Sequence, residues 1–238
     1  MEIEYFVREK EWEKHFDMWL HEMKGWMKFL GIINFHEREV AHDALAHYSK
    51  RTIDMDFDFP FGREELYGIA YRTDFDLKHH AEYSKTDLSY IEDDGSKYIP
   101  HVIEPTFGVE RTVLALLAGA YEEETLEKDT RTVLRFKPSV APVTIAVFPL
   151  VSNKENIVGK AKEIYDGLRM YFSVQFDDIG NVGKRYRRQD EIGTPWCVTV
   201  DYQTLEDGTV TVRDRDTMKQ ERILSAELTA YFKKWLYQ

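Results

Sequence analysis

The 238-residue sequence has a single cysteine, Cys197, which excludes a disulfide framework and any metal site built from several cysteines of one chain. No apolar run approaches the roughly 18 residues that a membrane-spanning helix needs, and the acidic opening residues are unlike a signal peptide. Internal repeats and low-complexity tracts are also absent. We therefore expect a soluble protein of the cytoplasm, a reducing compartment, with no membrane partner.

An excess of positive charge is missing as well. The chain has 32 Lys and Arg against 43 Asp and Glu, and the resulting net charge of −11 argues, taken alone, against a general nucleic-acid binder. The hydrophobic content of 43% and the aromatic content of 14% are those of a globular protein. The length allows one large domain or two ordinary ones.

The charge is unevenly distributed along the chain. Residues 1–138 carry 18 Lys and Arg against 29 Asp and Glu, whereas residues 139–238 carry 14 of each. The stretch 127–141 mixes charges and contains Pro138, and Pro142 follows it; both prolines disfavour regular structure on their N-terminal sides. We therefore expect a domain boundary near residue 138.

Residues 12–50 show two helical patterns. The first is an apolar stripe with a spacing of three or four, which predicts a helix that ends at Gly31: Trp12, Phe16, Trp19, Met23, Trp26 and Leu30. We expect this stripe in a core, with a partner-binding surface as the alternative. The second pattern predicts a helix over residues 36–50. Its histidines lack the i, i+4 spacing that places two metal ligands side by side, so a zinc site is not expected: His36, His42 and His47.

Strict alternation follows over residues 53–59, where apolar residues alternate with Asp54, Asp56 and Asp58. This period of two is typical of a half-buried strand. Alternate strand residues lie too far apart for the three carboxylates to hold one ion together, so we expect the acidic side to face solvent or a partner. Further strands flank a predicted hairpin turn at residues 94–95, and a helix is predicted from residue 108 to residue 124. The first part is thus an antiparallel α+β module.

The second part predicts the order βαβαββα. A near-continuous apolar run over residues 143–151 indicates a strand covered on both faces, an amphipathic helix follows over residues 153–172, and a short basic helix is expected over residues 181–191. Cys197 lies inside an apolar strand, where a packed side chain is favoured over a nucleophile. This pattern predicts an α/β unit with a mixed, largely parallel sheet.

The first candidate site is the segment 104–111, EPTFGVER, at a strand-to-helix junction. Glu104 suits an ammonium group, with the Thr106 hydroxyl beside it, and Arg111 near a helix N-terminus suits a phosphate. Gly108 lets a ligand approach the backbone. Together these residues predict a site for a zwitterion and a nucleotide. A structural Glu–Arg pair with a glycine kept for packing explains the same residues, and spacing alone does not decide between the two.

The second candidate site is the segment 184–188, KRYRR, with four cations around one aromatic residue. Such a cluster can bind phosphates while the tyrosine stacks on a base. The alternative is a solvated helix face that pairs with Asp190 and Glu191.

These segments resemble a known family. Residues 183–223 resemble the anticodon-binding domain of glycyl-tRNA synthetases of the dimeric class II type, and residues 104–117 resemble motif 3 of the same family. Residues 64–80 and the opening MEIEYF are similar to other parts of its catalytic domain. The resemblance implies part of a class II antiparallel-sheet catalytic domain over residues 1–138 and an α/β anticodon-binding domain over residues 139–238.

The resemblance also implies roles for the matching positions. The glycine substrate would be contacted by Glu2, Glu104 and Thr106, although many members have serine at the last position. The ATP site would be lined by Glu65, Leu66, Gly108, Val109, Glu110 and Arg111, with the arginine on the triphosphate. For tRNA, the candidate contacts come from the basic segment itself and not from matched family positions: Lys184, Arg185, Tyr186, Arg187 and Arg188.

The activity implied by the resemblance is that of a glycine–tRNA ligase. Glycine attacks the α-phosphate of ATP to give glycyl-adenylate and pyrophosphate, and the 3′ adenosine of tRNA(Gly) then accepts the glycyl group. Mg²⁺ accompanies ATP, whereas no organic cofactor, covalent nucleophile or metal site within this chain is expected. The full-length enzyme would be a homodimer. A non-catalytic nucleic-acid or partner-binding protein that reuses the scaffold, as in the accessory subunit of mitochondrial DNA polymerase, is the alternative.

In that family, motifs 1 and 2 precede the MEIEYF-like segment, and motif 2 holds the arginine that binds the ATP α-phosphate. We therefore predict that the 238-residue chain alone does not form glycyl-adenylate. Glycine-dependent ATP–pyrophosphate exchange measures this step. Robust exchange by this chain alone would contradict the prediction.

Overall fold

The computed structural model describes residues 1–126 and 130–236 in two compact units, Met1–Gly119 and Ala120–Gln238. The units divide earlier than the boundary expected near residue 138, because residues 121–125 pair with residues 130–134, which pack within the second unit. Within the described part of the chain, no helix has both the length and the apolar character that crossing a bilayer requires.

The first unit is built on a five-stranded antiparallel sheet in the order β1-β7-β4-β3-β2. Its helices and strands are β1 (Tyr5–Val7), α1 (Trp12–Leu30), β2 (Phe35–Glu39), β3 (Arg51–Phe59), β4 (Gly62–Thr73), α2 (Phe75–Ser84), β5 (Tyr90–Ile91), β6 (Lys97–Tyr98), β7 (His101–Phe107) and α3 (Val109–Ala120). β5 and β6 form the predicted hairpin, in which Gly95 adopts a left-handed φ of 81° that favours glycine at this turn. The antiparallel character predicted for this part is confirmed.

Helix α1 confirms the first helical prediction, and Gly31 ends it with a φ of 90°. Its core face consists of Phe16, Met23, Met27 and Leu30. Three stripe residues are thus buried, and two more, Trp12 and Trp19, are half-buried and pack on Tyr71 and Tyr5. Trp26, which the spacing placed inside, is 44% exposed and stacks on Phe29.

The helix predicted over residues 36–50 is wrong. This region forms β2 and a single 3-10 turn, His42–Ala44. The local apolar spacing fitted a helix, but residues 35–39 instead form an edge strand that hydrogen-bonds to β3 on one side. The same pairing places Arg38 over β3, where its Nε lies 2.8 Å from Asp56 Oδ2 and its Nη2 lies 2.8 Å from Asp54 Oδ2.

Strand β3 confirms the predicted alternation. The apolar residues of its inner side are buried, as expected: Ile53, Met55, Phe57 and Phe59. We expected the acidic side of this strand to face solvent or a partner, and this is only partly right. Asp54 and Asp56 are buried beneath the Arg38 guanidinium. Asp58 remains exposed and pairs with His36 and Arg63.

The helix predicted to extend to residue 124 ends at Ala120, and β8 (Tyr121–Thr125) follows it. β8 pairs with β9 (Thr130–Leu134) in the stretch for which irregular structure was expected; residues 127–129 of that stretch lie outside the described residues. Arg131 of β9 and Arg135, the residue after this strand, form ion pairs with the acidic side chains of β8. Such cross-strand charge pairs favour a hairpin over a continued helix.

The second unit has a five-stranded sheet in the order β11-β10-β12-β13-β14. After β8 and β9 its elements are β10 (Ile145–Pro149), α4 (Glu155–Leu168), β11 (Val174–Phe176), α5 (Val182–Ile192), β12 (Trp196–Val200), α6 (Tyr202–Asp207), β13 (Thr209–Asp214), β14 (Gln220–Leu224) and α7 (Leu228–Leu236). β10 is parallel to both neighbours, whereas the β12–β13 and β13–β14 pairings are antiparallel. The sheet is therefore mixed, as predicted, but only half parallel, because a hairpin extends it on one side.

The second unit buries a different set of side chains on each face of its sheet. α4 and α7 cover one face. Of the five side chains that the apolar spacing over residues 153–172 places inward, four are buried there, namely Ile157, Ala161, Ile164 and Leu168. The fifth, Tyr171, lies beyond the end of α4 and is 60% exposed. On the other face Cys197 packs with Ala146 and Phe148 beneath α5. Cys197 is only 1% exposed, which confirms that it is a packed side chain, and this burial raises the pKa of its thiol.

A buried ion network fastens the β8–β9 hairpin to α5. Asp190 of α5 is fully buried, and its Oδ1 and Oδ2 lie 2.8 and 3.0 Å from the guanidinium nitrogens of Arg213. Arg131 of β9 reaches the same carboxylate at 3.2 Å and also pairs with Glu124. One carboxylate thus balances two buried guanidinium groups from two different strands.

We predict that Asp190→Asn lowers the free energy of unfolding by about 3–5 kcal/mol, since it leaves buried guanidinium groups without their shared counter-charge. Urea unfolding followed by circular dichroism measures the loss. The matched control is Asp166→Asn, which removes an exposed carboxylate of α4 that pairs with Arg169. We expect this variant to change the free energy of unfolding by no more than about 1 kcal/mol. Similar losses in the two variants would contradict the prediction.

Candidate functional site

One face of the sheet in the first unit packs on α1, and the opposite face carries charged and small residues. The side chains of Tyr67, Ile69 and Tyr71 are buried, and the Tyr71 ring stacks on Trp12 of α1 at 4.1 Å. Alternation along β4 therefore places the neighbours of these residues on the opposite face. We call this second side the polar face; Arg72 of β4 lies on it.

The three residues predicted to contact glycine meet on the polar face. Glu2 forms an isolated antiparallel bridge with Thr106, and the Ile3 amide donates to the Pro105 carbonyl at 3.0 Å. The Thr106 hydroxyl donates to Glu104 Oε1 at 3.3 Å. Backbone pairing across about a hundred residues of sequence thus brings the predicted residues together.

Two further residues of this cluster were missed by the sequence reasoning. Arg72 is bonded to Glu104 Oε2, and its Nε donates to Asp76 Oδ2 at 2.7 Å. Glu4 lies two residues after Glu2, so both project toward the polar face. Partial burial and the nearby Glu104 raise the pKa of Glu4. The alternation of acids in MEIEYF was the available signal for Glu4, whereas Arg72 had none beyond the family resemblance.

The residues predicted for ATP gather where β7 passes into α3. Arg111 Nη1 donates to the Glu65 carbonyl at 2.6 Å. A Cβ on Gly108 would lie 3.2 Å from Arg111 Cβ and 3.4 Å from the Leu66 carbonyl oxygen, so only glycine fits here without displacement. Leu66 is itself buried, with only 2% of its surface exposed, so it contributes to the wall behind this junction.

The first turn of α3 is open to solvent, with Val109, Glu110 and Arg111 all exposed. The N-terminus of a helix is a favourable position for an anion because its amide groups are unpaired and its dipole end is positive. Arg111 adds a full positive charge to this end. The arrangement suits the phosphates of a nucleotide.

Carboxylates adjoin this turn on the polar face. Partial burial and the nearby Asp54 carboxylate raise the pKa of Glu65, and the positive charge of Arg111 partly offsets this rise. Burial also raises the pKa of Asp54, and the positive charge of Arg38 partly offsets that rise. Among residues 1–126 and 130–236, no group of three or more histidine, cysteine or carboxylate side chains has an arrangement that could hold a metal ion. Arg38 and Arg111 are the cations that face these carboxylates.

The five residues predicted to bind tRNA do not share one surface. Arg185 is only 1% exposed, and its guanidinium donates to the carbonyls of Pro149, Asp178 and Gly180. Burial lowers the pKa of Arg185. The residue therefore ties the end of β10 to the loop before α5.

The other members of the cluster differ in their exposure. Tyr186 packs edge-on against Phe148, and its hydroxyl lies 2.7 Å from the Thr199 hydroxyl. Arg188 pairs with Asp177 at 2.6 Å, and Arg187 is half-buried. Lys184 alone of the five is exposed, in the first turn of α5.

We predict that Arg185→Ala lowers the free energy of unfolding by about 2–4 kcal/mol, because three carbonyl groups lose a buried donor. Lys184→Ala, one residue away and exposed, should change it by about 0.5 kcal/mol or less. Urea unfolding of both variants measures the difference. Equal stability of the two variants would contradict a structural role for Arg185.

Comparison with known proteins is consistent with this arrangement. Residues 144–235, within the second unit, match the family described as the anticodon binding domain. Over 98% of its length the chain is 50% identical to a glycine–tRNA ligase of Lachnoclostridium phytofermentans, covering 51% of that protein, and 46% identical to one of Bacillus cereus, also covering 51%. A glycine–tRNA ligase of Lachnospira eligens is 52% identical over 98% of the chain and 50% of its own length.

The chain thus spans about half the length of the curated relatives that it matches. It is a homologue of the C-terminal portion of glycine–tRNA ligases, and it carries an anticodon binding domain.

Proposed function

We propose that this chain supplies part of the glycine and ATP site, together with the tRNA-binding domain, of a glycine–tRNA ligase. The observation that carries the proposal is the convergence of the polar-face carboxylates with the open first turn of α3. The first unit is then part of a class II catalytic domain. On the same resemblance, we propose that the full-length enzyme is a homodimer of the cytoplasm.

The carboxylate end of the cluster suits the ammonium group of an amino acid. Glu2, Glu4 and Glu104 contribute three acidic groups beside Arg72. Because Arg72 is itself shared with Asp76, the cluster retains excess negative charge, which favours a small cation. The hydrogen bonds from Arg72 and Thr106 fix the Glu104 carboxylate in one orientation, so little reorganisation is needed when an ammonium group binds.

The nucleotide end lies at the start of α3. There Arg111 and the helix N-terminus neutralise phosphate charge, and Gly108 lets the ligand approach the backbone. With glycine and ATP held side by side, the glycine carboxylate attacks the α-phosphate and pyrophosphate leaves. Mg²⁺ enters with ATP as part of the substrate. The rate enhancement comes from positioning and charge neutralisation, without a covalent enzyme intermediate.

The second unit binds the tRNA in this proposal. An anticodon binding domain holds the tRNA while its 3′ adenosine accepts the glycyl group. Of the predicted contacts, Lys184 is open to phosphate, and Arg187 and Arg188 lie beside it on α5. Arg185 supports this surface from within.

The proposal is tested by calorimetric titration of the chain with two ligands, ATP and the glycyl-sulfamoyl analogue of the adenylate. We predict that Glu104→Gln weakens binding of the glycyl analogue by about tenfold or more, because it removes a charge that faces the ammonium group. Arg111→Ala should weaken ATP binding and affect the analogue less, since the analogue lacks a triphosphate.

Glu64→Gln is the matched control, because Glu64 is an exposed acid adjacent to Glu65 and outside the predicted site. It should bind both ligands like the wild type. Equal affinity for glycyl and alanyl analogues, or no loss on Glu104→Gln, would overturn the proposed glycine site. Retained tRNA binding in that case would favour the non-catalytic use of the scaffold.

A further inference from the structure

Arg72 on the polar face is held from three directions. Its Nε donates to Asp76 Oδ2 at 2.7 Å, and its Nη1 is bonded to Glu104 Oε2. The ring of Tyr48 covers the guanidinium group, with the ring centre 4.0 Å from Arg72 Cζ. An aromatic ring at this distance attracts a guanidinium group and limits its movement. Tyr48 lies in the connection between β2 and β3 and has no assigned role in the glycine or ATP site.

The backbone of β4 is irregular at Arg72. The residues before and after Arg72 pair with Ile103 and Val102, which are neighbours in β7, so Arg72 is an extra residue in the ladder. Such a bulge bends a strand and changes the direction of a side chain. The next residue, Thr73, has a left-handed φ of 60°, which is unfavourable for a β-branched side chain. A strained backbone of this kind persists only where the surrounding contacts hold it in place.

The segment that carries Tyr48 is fastened to the same part of the unit. The Lys50 amide donates to the Tyr71 carbonyl at 2.9 Å, directly before Arg72. The His47 ring contacts both Tyr48 and Phe75 of α2 edge-on, with 5.2 Å between the ring centres of each pair. Tyr48 is itself half-buried. These attachments keep its ring beside the guanidinium group.

We infer that Tyr48 is a positioning residue of the proposed glycine site. Its ring holds Arg72 in the orientation in which Nη1 bonds to Glu104, the carboxylate assigned to the ammonium group of glycine. Without the ring, Arg72 retains its ion pair with Asp76 but loses the contact that keeps the other end of its guanidinium group on Glu104. The Glu104 carboxylate is then less well oriented for a ligand. This inference rests on the proposed function and adds a residue that acts through Arg72.

Calorimetric titration of the full chain with the glycyl-sulfamoyl analogue and with ATP tests this role. Tyr48→Ala should weaken binding of the analogue about three- to tenfold, the size of one cation–π contact. ATP affinity should stay within about twofold of wild type, because the triphosphate binds at the start of α3. A general loss of structure would lower both affinities together.

Two further variants show whether the ring acts through Arg72. Tyr48→Phe keeps the ring and should bind the analogue within about twofold of wild type. On an Arg72→Ala background, Tyr48→Ala should cause no further loss, because the group that it holds is already absent.

Tyr98→Ala is the matched control, because Tyr98 also lies against an arginine of the first unit. Arg8 Cζ is 5.3 Å from the centre of the Tyr98 ring, and Arg8 is bonded to Glu92 outside the proposed site. This variant should bind both ligands like the wild type.

The possible outcomes separate this inference from the proposed function. Unchanged analogue affinity in Tyr48→Ala, while Glu104→Gln still weakens binding, overturns the inference alone. An equal loss of ATP affinity, an equal loss in Tyr48→Phe or Tyr98→Ala, or an undiminished loss on the Arg72→Ala background also overturns it, because the effect then does not come from the ring beside Arg72. A wild-type chain that binds no glycyl analogue overturns the proposed glycine site as well.

Discussion

The pairing of β7 with its two neighbours is the constraint on which the candidate site depends. Glu104 lies opposite Ala70 of β4, and the bridge between Glu2 and Thr106 continues the pairing with β1. Because side chains alternate along a strand, a shift of one residue would turn the acidic side chains toward α1 and the aromatic ones toward solvent. The stacked Trp12 and Tyr71 rings oppose such a shift, so core packing fixes the position of the site.

Arginine has two kinds of role in this protein. Arg131, Arg185 and Arg213 are buried and join separate strands and loops of the second unit. Their guanidinium groups have several donors in a plane and can therefore satisfy carbonyls and carboxylates from different elements at once. Arg72 and Arg111 instead border the polar face, where Arg72 pairs with Glu104 and Arg111 donates to the Glu65 carbonyl. A count of basic residues does not distinguish these roles.

Local pattern predicted the elements that carry a strong period. The alternation of β3 and the stripe of α1 reflect burial on one side, which sequence records directly. The helix predicted over residues 36–50 was wrong because a few apolar residues at helical spacing also occur in an edge strand and a turn. The prediction that the helix extends beyond Ala120 failed for a related reason, since the partners of β8 lie in β9, between 5 and 13 residues further along the chain.

The sequence by itself determined that the chain is globular, that its charge is divided between an acidic and a neutral part, and that segment 104–111 carries a carboxylate and an arginine at a strand-to-helix junction. These properties follow from composition and from neighbours in the chain. Only the tertiary structure decided that Glu2 lies beside Thr106, that Arg72 holds Glu104 and that Arg185 is buried. Such contacts join residues far apart in sequence, and the energy that selects them comes from packing and strand register, which no single segment contains.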